Sequence, residues 1–164
     1  MEEAPPAASL HEFLLTRRSI RNYLPEPVPL DLVQELLRVA TRAPSAHNRQ
    51  PWRWVVIHTE AAKHRLAEEM GIAFRRDLLR DGVPTERAEA MVRRSHERIG
   101  GAPLLIVPCV TMSEMDTYSD PARQRCEWQM AVQSVALACQ NLMLAAHAVG
   151  LGSCWICAPI FCVP

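Results

Sequence analysis

A mixed fold of helices and short apolar strands in one domain is what this sequence predicts, on three observations. The chain has 164 residues, enough for one domain with a sizeable core. Several stretches repeat apolar residues at helical spacing. Three others, residues 52–57, 102–110 and 153–157, read instead as short strands, the first two apolar enough to be buried within a sheet.

Met1 to Ser9 is acidic at Glu2 and Glu3, rich in Ala and Pro, and has no apolar run. It reads as a disordered lead-in, not a signal peptide, and residues 10–164 read as the domain. Ser9 can cap a helix over 10–18 whose buried stripe is Leu10, Phe13, Leu14 and Leu15. A proline-punctuated connector follows. Residues 30–42 form a second helix through Leu32, Val33, Leu36, Leu37 and Ala40, ended by Pro44. After the strand from Trp52 to Ile57 the helical pattern returns over 59–70, weakens over 72–82, and resumes as a charged, solvent-facing helix over 85–99.

A second strand over 102–110 leads into a polar surface loop over 112–123 with Asp116, Tyr118, Asp120 and Pro121. Residues 125–149 form the longest helix, apolar nearly all round. A helix of that kind is central to its domain or shared with a partner. Gly150 stops it, and a third strand over 153–157 follows. The last six residues carry no polar tail and read as the run-in to another element, so the expectation is a domain truncated at its C-terminus.

Charge and composition exclude several functions. Eighteen basic residues balance eighteen acidic ones, which argues against a nucleic-acid partner. No stretch reaches the roughly 18 uninterrupted apolar residues of a membrane span. Six cysteines lie mostly in apolar segments, as expected of reduced core thiols in a cytoplasmic protein. The histidines show no paired-ligand spacing, so no metal site is expected. There is no G-x-S-x-G, no phosphate-binding P-loop and no G-x-G-x-x-G, which removes the usual support for covalent hydrolysis, nucleotide hydrolysis and Rossmann-type dinucleotide binding.

Three segments carry chemistry. Arg17, Arg18, Ser19 and Arg21 offer guanidinium forks suited to phosphate oxygens, each charge-assisted bond contributing about 1.5–3 kcal/mol; the plain alternative is a solvated basic helix end. Pro44, Ser45, Ala46, Asn48 and Gln50 lie in a turn between two prolines. Its amides can donate and accept at once, which suits the alternating groups of a flavin pyrimidine; the alternative is an Asx-type turn feeding a strand. In Gly150–Pro159 the glycines allow main-chain groups to approach a flat cofactor edge. Cys154 and Cys157 form a C-x-x-C there. In a strand their side chains would point to opposite faces, which disfavours a dithiol.

In order and spacing, these segments resemble the nitroreductase family of flavin enzymes. The chain carries R-R-S-x-R at Arg17–Arg21, P-V-P at Pro27–Pro29, A-P-S-x-x-N-x-Q-P-W at Ala43–Trp52 and G-L-G-S-x-W at Gly150–Trp155, covering nearly its whole length. The closest flavour is that of actinobacterial members, including the reductase domain associated with deazaflavin coenzyme ligase. The resemblance implies an α+β fold with a central, mostly antiparallel sheet flanked by helices, dimeric, with FMN at the homodimer interface.

By that resemblance Arg17, Arg18, Ser19 and Arg21 would hold the FMN phosphate and ribityl chain. Pro44, Ser45, Ala46, Asn48 and Gln50 would approach the flavin from the other subunit, and Trp155, Ile156, Cys157 and Ala158 would pass its ring. NADH or NADPH would donate electrons in a ping-pong cycle to a small-molecule acceptor, a nitroaromatic, quinone or conjugated alkene, with no dedicated catalytic side chain. Two alternatives share the motifs: a reductase of a dehydro-deazaflavin coenzyme intermediate, and a flavin-binding or dimerisation module without turnover. A dithiol protein using Cys154 and Cys157 is a third.

Overall fold

The regular elements through residues 7–162, the stretch that the computed structural model describes, are α1 (Ala7–Thr16), α2 (Leu30–Ala40), β1 (Trp52–Ile57), α3 (Glu60–Arg80), α4 (Thr85–Gly100), β2 (Leu105–Val110) and α5 (Pro121–Ala148), with 3₁₀ turns at Ala46–Asn48 and Ala158–Cys162. Helices dominate, and β1 pairs with β2 in a small antiparallel sheet, so the α+β expectation holds. None of the described helices is long and apolar enough to cross a membrane.

Local chemistry explains where the boundaries differ from the sequence reading. Residues 1–6 of the expected lead-in lie outside the described residues, but α1 already begins at Ala7. Two alanines, the strongest helix formers, carry the helix through Ser9, which therefore does not cap it. Its expected apolar stripe is largely uncovered: Leu10, Leu14 and Leu15 are exposed, and Phe13 is half-buried in a stack on His147. Helix α2 ends at Ala40, before Pro44 can act, in a tight turn through Thr41 that returns N–H groups to the carbonyls of Leu37, Val39 and Ala40.

The two helical stretches around residue 71 are one helix, α3. A Cβ at Gly71 would lie 3.3 Å from Val92 Cγ1, so glycine there admits a close approach of α4 that offsets its poor helix propensity. Strand β2 starts at Leu105, later than expected, because Pro103 has no N–H for a ladder. Helix α5 starts at Pro121, within the expected loop. Asp120 caps it by accepting the Ala122 N–H at 2.9 Å, and proline at the first helical position has no hydrogen bond to lose.

The third strand does not form. Ser153 makes only an isolated parallel bridge with Ser19, and residues 154–157 are irregular, so strand alternation says nothing about Cys154 and Cys157.

Contacts divide the chain into two units. The first comprises residues up to 20, 29–55 and 108–154. Its core is Ala43, Trp52, Val135, Ala138 and Cys139, with Trp54 and Val110 packed against it. The second comprises 21–28, 56–107 and the residues from 155, with Ala67, Met70 and Ile99 at its core and Leu66, Leu105 and Cys162 around them. Within the first unit α5 buries Ala131, Val135, Ala138 and Cys139 as a stripe at helical spacing, while Trp128 and Val132, one turn apart, are 50% and 41% exposed. The near-uniform apolarity of α5 is thus one buried stripe and one uncovered one.

Candidate functional site

Parts of two of the three predicted segments meet in the first unit. Arg17, Arg18 and Ile20 line a pocket of about 310 Å³ together with His147 and Gly150–Ser153. Helix α5 closes there in a left-handed glycine turn: Gly150 has φ +78°, its N–H reaches the His147 carbonyl at 3.1 Å, and the Leu151 N–H reaches Ala146 at 2.9 Å. The chain then runs beside residues 19–20, with Ile20 N–H donating to the Ser153 carbonyl at 3.0 Å. A Cβ on Gly152 would fall 2.8 Å from Ile20 Cγ2, so this approach requires glycine. Thr16 Oγ1 and His147 Nε2 lie 3.0 Å apart on the pocket wall.

Arg17 is half-buried, while Arg18 and Ser19 are exposed. The Arg18 guanidinium turns its Nη1 onto the carbonyls of Leu15 and Arg17, so part of its donor capacity closes the C-terminal end of α1.

The turn at 44–51 has an unusual backbone. His47, Asn48 and Gln50 have φ of 50°, 54° and 49°, the positive-φ non-glycine residues among those described. Asparagine tolerates that region; histidine and glutamine do so at greater cost, on the order of 1–3 kcal/mol for such a residue, and such strain persists only where surrounding contacts determine the conformation. Within the turn, Ser45 Oγ accepts the Gln50 N–H at 3.0 Å, and Gln50 Nε2 donates to Asn48 Oδ1 at 3.4 Å. The exposed amides of Asn48 and Gln50 are thus set side by side, and the turn enters β1 through the buried Pro51.

Two further anchors come from α5, and the sequence reading missed both. Ser134, 2% exposed, accepts the Ala46 N–H at 3.1 Å while donating to the Met130 carbonyl at 2.7 Å. Glu127, fully buried, accepts the Asp116 N–H on Oε1 at 3.1 Å, and Asp116 Oδ1 in turn receives Arg49 Nη2 at 2.6 Å. Glu127 Oε2 is buried without a partner among the described residues. The signal that could have found these two is helical phase: both fall in the buried stripe of α5, seven residues apart.

Arg21, Trp155, Ile156, Cys157 and Ala158 fall in the second unit and are exposed; Trp155 Nε1 lies 3.1 Å from Cys157 Sγ. The expectation of core thiols holds for one cysteine alone. Cys139 is buried, Cys109, Cys154 and Cys162 are half-buried, and Cys126 and Cys157 are exposed. Burial pushes the Cys139 thiol up to about 11, so it is neutral and unreactive at physiological pH.

Residues 14–162 match the model of the nitroreductase family. A Thermus thermophilus protein named NADH dehydrogenase is 48% identical over 68 residues, covering 42% of this chain. The chain spans 33% of that relative's length and 65% of that of a second curated relative, from Archaeoglobus fulgidus. Among solved structures, a BluB-like flavoprotein of Clostridium difficile superposes with a TM-score of 0.71 at 21% identity, over 93% of this chain and 76% of its own. An FMN-dependent nitroreductase of Mycobacterium smegmatis, solved with NADPH, does so at 0.62 and 23% identity, over 90% of this chain and 74% of its own.

Proposed function

The chain belongs to the nitroreductase family, and on that premise we propose that it is an FMN-dependent oxidoreductase that draws electrons from NADH or NADPH and passes them to a nitroaromatic, a quinone or a conjugated alkene. One observation carries the reading furthest: a strained turn at 47–50 that sets two exposed amides side by side. Backbone strain of this kind collects at ligand-binding sites, where it holds polar groups in place before the ligand arrives.

The residues present fit FMN on their chemistry. Arg17, with what remains of the Arg18 donor set, offers charge-assisted bonds to a phosphate in the pocket, and the exposed Ser19, next in the chain, brings a hydroxyl to the same proposal. The close approach at Gly152 keeps main-chain groups of Gly150–Ser153 within reach of the same pocket. Asn48 and Gln50 supply the paired donor and acceptor groups that a pyrimidine edge requires. FMN, when bound, supplies transfer of two electrons between the nicotinamide and the acceptor. The chain's own task is to bind, orient and stabilise developing negative charge with N–H and guanidinium donors, an electrostatic role that needs no dedicated acid or base.

Arg21, Trp155, Ile156, Cys157 and Ala158 belong to the same proposal as flavin-contacting residues, as does assembly as a homodimer. The uncovered pair Trp128 and Val132 on α5 is the apolar face offered to a second copy. A dehydro-deazaflavin intermediate is one conjugated alkene of the proposed class, and assaying it beside a nitroaromatic and a quinone ranks the acceptors.

The deciding experiment is a visible spectrum of the purified protein with FMN added. A flavin spectrum that NADH or NADPH bleaches under anaerobic conditions is expected. A protein that retains no flavin, or Arg17→Ala and Arg21→Ala variants that retain as much FMN as the parent, would sink the assignment.

A further inference from the structure

We propose that Ser134 and Glu127 are positioning residues: from the buried stripe of α5 they lock the turn at 45–50 into its ligand-ready conformation before any ligand binds. They are the buried polar side chains among the described residues, and both lie on one helix two turns apart. Both lead to the same turn by different routes. Ser134 takes the Ala46 N–H directly; Glu127 takes the Asp116 N–H, and Asp116 holds Arg49. The two anchored residues, Ala46 and Arg49, bracket His47 and Asn48, and Gln50 follows directly. A helix that otherwise buries alanine, valine and cysteine on this face would pack at least as well with apolar residues here. Ser134 Oγ and Glu127 Oε1 are accounted for by what they hold.

The arrangement has a mechanical logic. Arg49 and Asp116 are part-exposed, and an ion pair between mobile side chains would position little. Asp116 is itself fixed at its backbone by the fully buried Glu127 side chain, so the geometry of the core is transmitted to Arg49. Ser134 is fixed likewise by its bond to Met130 within the helix. Two attachment points prevent the turn from pivoting about either one, which a single anchor cannot do.

The proposal rests on the reading that this turn contacts FMN, and the test separates the two. Amide hydrogen exchange on the protein without FMN reads the turn directly; FMN titration reads the consequence. Ala46 and Gln50 amides should be protected in the parent protein. Ser134→Ala should speed their exchange at least tenfold, leave α3 and α4 unchanged, and raise the FMN dissociation constant about tenfold. Ser134→Thr, which keeps the hydroxyl, should restore both. Glu127→Gln, which keeps an acceptor for Asp116, should behave as the parent. Asp116→Asn, a part-exposed change that the fold tolerates, should weaken FMN about threefold.

A merely structural role would lower the melting temperature and leave the FMN constant alone. That result, or turn amides in the parent protein that exchange as fast as an open loop, overturns the proposal. Protection that Ser134→Ala removes, in a protein that binds no FMN, upholds the anchor and overturns the cofactor reading instead.

Discussion

The two units use their polar side chains in opposite ways. In the first, Glu127 and Ser134 are withdrawn from solvent and each has a hydrogen bond that leads toward one turn. In the second, the buried side chains of α3 and α4 are apolar, and the charged groups meet at the surface, as in Arg75 with Glu89 and Arg76 with Asp77. A buried hydrogen bond is costly to break because the group left behind finds no water, whereas an exposed ion pair loses little when water replaces its partner. The first unit is therefore built to hold a backbone in an unfavourable conformation, and the second to keep a helical hairpin packed and solvated.

Substitutions in each unit can break that contrast. The largest effect belongs to Glu127→Ala, which leaves the Asp116 N–H unpaired beside a new cavity. It should destabilise the protein by about 3 kcal/mol in urea denaturation; a loss near zero would mean that Asp116 is not anchored by the core. Next comes Gly152→Ala, whose Cβ would meet Ile20 at 2.8 Å. About 2 kcal/mol should be lost from thermal stability, together with weaker FMN binding, and an unchanged melting temperature would show that residues 19–20 and 152–153 can separate freely.

The Cys139 thiol supplies a smaller, pH-dependent term. Its folded value of about 11 exceeds the reference of 9.0, so between these pH values the unfolded chain releases a proton that the folded protein retains. Stability present below pH 9 should decline by about 1–2 kcal/mol as pH rises to 11, a decline that Cys139→Ala removes from a pH series of denaturation curves. The smallest effect is expected in the second unit: Glu89→Gln, which dissolves an exposed pair with Arg75, should cost under about 0.5 kcal/mol. A cost as large as that of Glu127→Ala would erase the distinction between the units.

Much of the fold was legible in the chain because the signals were local. The period of α2, the proline before α4, the glycine that closes α5 and the apolar run of β1 each depend on a few neighbouring residues. The start of α5 at Asp120-Pro121 was equally local, yet its polar surroundings read as loop. The glycine in the middle of α3 made sense only in three dimensions, since a Cβ at Gly71 would lie 3.3 Å from Val92 Cγ1 on another helix. At the site, the arginine and glycine segments and the amide-bearing turn stood out by residue type. Glu127 and Ser134 did not, because a polar residue on a long helix is ordinarily solvated and only packing shows which side faces inward.

What the amino-acid order determined by itself is most of the helical segments, the two strands that do form and the family, through short-range periodicity and motifs whose residue types are demanded by chemistry. Tertiary structure alone decided three things: that residues 153–157 pair through a single bridge and form no strand, that Arg18 spends part of its guanidinium on α1, and that the turn at 47–50 is held from the core. The reason is common to all three. Each depends on which distant backbone group lies within hydrogen-bond reach, and that distance exists only once the helices have packed.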